Sequence, residues 1–69
     1  MPTPSTPLTG EILFELRQIG ASVKVSAIHV DTGTEVSLAG PASAGEYVLK
    51  EAALRKLAYV LAKREEQRR

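Results

Sequence analysis

The chain contains no cysteine and a single histidine, His29, which removes two of the usual ways of holding a small protein together. Without cysteine there is no disulfide. One histidine without a thiolate partner cannot make the four-ligand zinc site of a small metal-stapled domain. No serine stands at a nucleophile elbow, so no Ser-His or Cys-His nucleophile is expected, and neither is a cofactor or metal. An apolar run of ~18 residues and the h-region of a secretory signal are missing too, and the sequence reads as soluble and cytoplasmic. These absences matter because 69 residues lie just below the size at which one apolar core usually suffices. With disulfides and metal nearly excluded, self-association is the remaining support, and a homo-oligomer, a dimer in the simplest case, is the expectation.

Net charge is also nearly absent, at +1, but its distribution is uneven. Residues 1–49 set two cations, Arg17 and Lys24, against five carboxylates, Glu11, Glu15, Asp31, Glu35 and Glu46, a balance of −3. Residues 50–69 set seven cations, Lys50, Arg55, Lys56, Lys63, Arg64, Arg68 and Arg69, against three carboxylates, Glu51, Glu65 and Glu66, a balance of +4. Cations gather at the C-terminal end of a helix because its macrodipole favours them there. The competing reading is a phosphate-binding surface.

What is present is a change of period at Ser43-Ala44-Gly45-Glu46. Before it, apolar residues recur every second position; after it, every third or fourth. The Ser-x-x-Glu spacing predicts a capping box, with the Ser43 hydroxyl accepting from the Glu46 N–H and the Glu46 carboxylate reaching back to Ser43. Residues 1–9, with Pro2, Pro4 and Pro7, are expected to form a mobile tail. Ile12, Phe14 and Leu16 define the inward face of a first strand, with Glu11, Leu13, Glu15 and Arg17 outward. Gly20-Ala21 links it to a second strand, from Ser22 to Val30, where Val23, Val25 and Ala27 point inward. Ile28 and Val30 have the opposite parity, which calls for a bulge near Ala27-Ile28 or a covered outer face. Asp31-Thr32-Gly33 turns the chain into a third strand, Thr34 to Ala39, which Gly40-Pro41 should end.

From Ala44 to at least Lys63 the spacing predicts one long helix. Tyr47, Leu49, Ala53, Leu54, Leu57, Ala58, Val60 and Leu61 share an arc of about half its circumference, with Val48, Ala52 and Tyr59 on a lesser outer strip. The arc is wider than a three-stranded sheet needs, so part of it is free to face a second subunit. Leu13, Leu49, Ala53, Leu57, Val60 and Leu61 are the candidate oligomer-interface residues. The fold class is thus α+β: a three-stranded antiparallel meander followed by a C-terminal helix packed on one face, spanning residues 10–64, with a frayed charged end at residues 65–69. Both edge strands lack a proline or inward charge to block pairing, and the first is long enough to serve as a pairing edge.

Short motifs add little chemistry. Asp31-Thr32-Gly33 is similar to the catalytic triplet of aspartic proteases, but Thr34 follows where those enzymes usually carry Ala or Ser, and a turn needs the same residues. His29 reads as a solvated strand histidine. The loop from Gly40 to Gly45 enters a helix N-terminus, a place where anions bind, yet it lacks the Gly-Lys-Ser/Thr ending of a phosphate loop, and Glu46 competes for that end. The β-β-β-α order is similar to the later part of double-stranded-RNA-binding domains and to three-strand-plus-helix DNA-binding modules. Here, however, the helix start and outward sheet face carry carboxylates. A nucleic-acid role would rest on Arg55, Lys56, Lys63 and Arg64.

The strings Gly10-Glu11-Ile12-Leu13-Phe14-Glu15, Val23-Lys24-Val25, Thr32-Gly33-Thr34-Glu35-Val36-Ser37, Gly40-Pro41-Ala42-Ser43 and Ala52-Ala53-Leu54-Arg55-Lys56-Leu57 resemble those of a family of short, uncharacterised bacterial proteins. The resemblance implies a stand-alone bacterial domain and nothing about catalysis. The expectation is therefore a small non-enzymatic, self-associating interaction module, with a nucleic-acid-binding accessory protein as the alternative.

Overall fold

The computed structural model describes residues 10–67; the tail expected at residues 1–9 lies outside them, as do residues 68–69. Three strands form one antiparallel sheet in the order β1-β2-β3, with β1 at Ile12–Ile19, β2 at Ser22–His29 and β3 at Thr34–Pro41. A single 3-10 turn at Ala42–Ala44 leads into the helix α1, Glu46–Gln67. The β1–β2 link has two residues, Gly20 and Ala21, and Gly20 takes the positive φ of 62° that tight hairpin turns require at their first position. Both strand pairings run without interruption, Ile12 opposite His29 through Ile19 opposite Ser22, and Ser22 opposite Pro41 through His29 opposite Thr34. No bulge interrupts β2. Ile28 simply lies on the face away from the helix, half-buried between Leu13 and Glu35.

Strict alternation then sorts the sheet into two faces. Val25, Ala27 and Val36 are buried on the helix side, with Phe14, Val23 and Leu38 packed against them. From above, Leu49, Ala53, Leu57 and Leu61 complete the core at steps of four residues, the spacing that places side chains in one line along a helix. The helix lies across β2 and β3. Leu57 and Val25 are the largest fully buried side chains of this core, and burying such a side chain contributes about 1.5–3 kcal/mol. Tyr47, expected on the inward arc, is 75% exposed. It stands about half a turn from Leu49, so the arc that meets the sheet is narrower than the sequence pattern suggests.

Three further expectations are revised. β3 does not stop at Ala39 but continues through Pro41. The strand is an edge, and the missing N–H of Pro41 falls on its outward side. Gly40 points at the helix, where a Cβ would lie 2.6 Å from Leu49 Cδ2; that position is glycine because Leu49 fills its space. At the helix start, Ser43 belongs to the 3-10 turn, and Gly45 (φ 93°) occupies the cap, its carbonyl accepting from the Leu49 N–H at 3.2 Å. The Glu46 carboxylate turns forward to Lys50 at 3.1 Å instead of back to Ser43. The capping box is replaced by a glycine cap.

Candidate interaction edge

The two edges of the sheet differ, and the difference follows from hydrogen-bond parity. Val30 N–H donates to the Glu11 carbonyl at 3.1 Å, so in an uninterrupted antiparallel ladder the odd-numbered residues of β1 bond to β2. The backbone groups of Ile12, Phe14, Leu16 and Gln18 therefore point outward. By the same rule, set by Ala42 N–H donating to the Ala21 carbonyl at 2.7 Å, β3 turns Glu35, Ser37, Ala39 and Pro41 outward. There the edge is obstructed: Lys56 Nζ crosses from α1 and donates to the Ser37 carbonyl at 2.9 Å, and Pro41 offers no donor. The expectation that neither edge is blocked thus holds for β1 and fails for β3.

β1 is also poorly covered by the described residues. Of the seven large apolar side chains left exposed among the described residues, three lie on it: Leu13 at 47%, Leu16 at 36% and Ile19 at 66%. Lys50 Nζ sits 5.4 Å from the centroid of the Phe14 ring, on the helix-side flank of this strand. On the other face β1 presents Leu13, Glu15, Arg17 and Ile19 in order, with Glu15 opposite Ser26 and Arg17 opposite Lys24. Neither Glu15 nor Arg17 forms an ion pair among the described residues.

The candidate interface residues divide accordingly. Leu49, Ala53, Leu57 and Leu61 are buried in the core of the single chain. Val60 is half-buried against that core, and Leu13 alone of the six stands exposed on the uncovered face. Leu16, Arg17 and Ile19, its neighbours on β1, are not among the six, although their alternation is visible in the sequence.

The basic residues also have local roles. Arg55 pairs with Glu51 at 3.9 Å, Lys56 closes the β3 edge, and Arg64 donates from Nη1 to Thr34 Oγ1. Lys63 is exposed beside Tyr59, Glu65 and Glu66. The four do not form one basic surface, because two of them are turned onto the sheet.

Arg64 belongs to a polar cluster that also corrects the reading of His29. That residue is 5% exposed, since its parity matches that of Val25 and Ala27. Its Nδ1 lies 2.9 Å from Thr32 Oγ1, and the Thr32 hydroxyl donates to Thr34 Oγ1 at 2.9 Å. The Asp31-Thr32-Gly33 turn is thereby tied to α1, with the hydroxyls of Thr32 and Thr34 as the links. Buried side-chain nitrogen and oxygen atoms without partners are absent among the described residues, and so are groups of three or more His, Cys, Asp or Glu side chains placed to hold a metal. No helix among them is long and apolar enough to cross a membrane.

Among curated proteins and solved structures, none matches the chain. Residues 9–64 match a family described as a domain of unknown function, DUF6898. The match spans all three strands and the helix through Arg64, and on that evidence the chain belongs to the DUF6898 family.

Proposed function

We propose that the domain is a non-enzymatic interaction module that self-associates by strand addition at β1. The asymmetry of the edges carries this reading. One edge is obstructed at Ser37 by Lys56 and at Pro41, while the other exposes the outward backbone groups of a strand eight residues long, flanked by Leu13, Leu16 and Ile19. Main-chain hydrogen bonds supply affinity in such pairing, and side chains on the two faces supply selectivity. An unguarded apolar edge beside a guarded one is a ready template for pairing with another chain.

The test is the mass of the protein in solution across a concentration series. Leu16→Pro removes an outward N–H without touching the β1–β2 ladder, and Leu16→Lys places a charge at the same point. By light scattering the parent protein should give a dimer and both variants a monomer, with far-UV circular dichroism retained. A monomer for the parent at every concentration, or dimers for both folded variants, would refute the proposal.

A further inference from the structure

We infer that the partner at this edge is a second copy of the chain, joined antiparallel in one register whose two-fold axis passes through Leu16; this rests on the β1 pairing proposed above. Hydrogen-bond parity restricts the choice. The outward groups belong to Ile12, Phe14, Leu16 and Gln18, so these must pair among themselves across the axis. Two arrangements satisfy that rule while overlapping nearly the whole strand. In the first, Leu16 faces the partner's Leu16, Phe14 faces the partner's Gln18, Glu15 faces the partner's Arg17, and Leu13 faces the partner's Ile19. In the second the axis passes through Glu15, which sets Glu15 against the partner's Glu15 and Leu13 against the partner's Arg17.

Charge and apolar area both select the first. The string Leu13, Glu15, Arg17, Ile19 is self-complementary when reversed, apolar on apolar and acid on base. Two-fold symmetry makes each of these contacts twice. Within the single chain Arg17 faces Lys24 across β2, a like-charge juxtaposition that is unfavourable on a sheet, and neither it nor Glu15 is ion-paired among the described residues. The partner's Glu15 supplies the missing carboxylate beside that pair. Ile19, 66% exposed, gains the partner's Leu13 as its neighbour. An apolar row, Ile28, Leu13 and the partner's Ile19, then crosses the junction on the face away from the helices. The second register meets the cross-strand rule badly, with identical charges directly opposed.

Charge exchange and cross-linking test this register. Glu15→Lys and Arg17→Glu each convert both acid–base contacts into like-charge contacts and should weaken the dimer by about tenfold. An equimolar mixture of the two variants should recover dimerisation as a heterodimer, because the lysine introduced in one copy then faces the glutamate introduced in the other. Under mild oxidation Leu16→Cys should cross-link, because paired positions of this kind place Cα atoms ~5.5 Å apart, within disulfide range. Glu15→Cys should not. Recovery on mixing together with the Leu16→Cys link supports the register. A dimer in which Glu15→Cys cross-links, or in which the mixture stays dissociated, overturns the register while leaving β1 pairing intact. A parent protein monomeric at every concentration removes both.

Discussion

Adding one methyl group at Gly40 tests how tightly the helix is seated on the sheet. A Cβ there would lie 2.6 Å from Leu49 Cδ2 and 3.9 Å from Leu49 Cγ. Carbon atoms in good contact are about 3.5–4.0 Å apart, so the first distance is an overlap of about 1 Å and the second is ordinary contact. Leu49 is only 5% exposed, which leaves its side chain little room to swing away. Overpacking of this size costs about 1–3 kcal/mol. Replacing glycine also restricts the unfolded chain, which offsets about 0.4–1 kcal/mol. Gly40→Ala should therefore destabilise by about 1–2 kcal/mol. Leu49→Ala, a buried truncation, should cost about 2–5 kcal/mol. In the double variant the new methyl enters the space that Leu49 vacates, and the combined cost should fall short of the sum by about 1–2 kcal/mol. Urea unfolding followed by circular dichroism gives the four stabilities, at one fixed protein concentration because association shifts apparent stability. Costs that add within about 0.5 kcal/mol, or a Gly40→Ala protein more stable than the parent, would refute this packing of α1 on β3.

Two further perturbations address the edge and the helix start. Lys56→Ala uncovers the Ser37 carbonyl on β3, and at high concentration sedimentation velocity should show species larger than a dimer, since a second pairing edge then becomes available. At the helix start, Gly45→Ala should cost about 1–3 kcal/mol because its φ of 93° is strained for any residue with a Cβ. Ser43→Ala should change stability by no more than about 0.5 kcal/mol. Urea melts of the two proteins give the order directly, and the reverse order would restore Ser43 as the cap.

The alternation of β1 and β2 and the 3.6-residue period after Glu46 are legible in the sequence because each reports a local geometry that repeats. What is not legible depends on pairs distant in the chain. His29 reads as a solvated residue when judged by its own polarity; it is buried because α1 returns over that end of the sheet and Arg64 reaches Thr34 thirty positions earlier. Lys56 reads as one of several surface cations until its reach to the Ser37 carbonyl is seen. Gly40 reads as a strand terminator, whereas its role is to receive Leu49. The helix itself runs to Gln67. The capping box fails for a different reason: the Ser-x-x-Glu spacing is present, but the 3-10 turn ending at Ala44 moves the cap two residues on, to Gly45. Leu49, Ala53, Leu57 and Leu61 read as one apolar line and form one. Periodicity alone does not say whether that line meets the sheet of its own chain or a second subunit.

The contrast between the two edges bears on the size of the assembly as well as its existence. A sheet with two open edges adds copies at both and grows without limit, in the manner of a fibre. One with two closed edges remains alone. In the dimer proposed above, Lys56 and Pro41 obstruct β3, so main-chain pairing adds one neighbour at β1, and the two-fold axis consumes that edge of both copies at once. Such a dimer would stop at a six-stranded sheet bounded by two β3 strands, each guarded by its own Lys56. Because that axis stands normal to the sheet, both helices lie on one face, and the opposite face becomes twice as wide. On that proposal a domain of this size would gain a broader sheet, and a cation supplied by the helix would set where it ends.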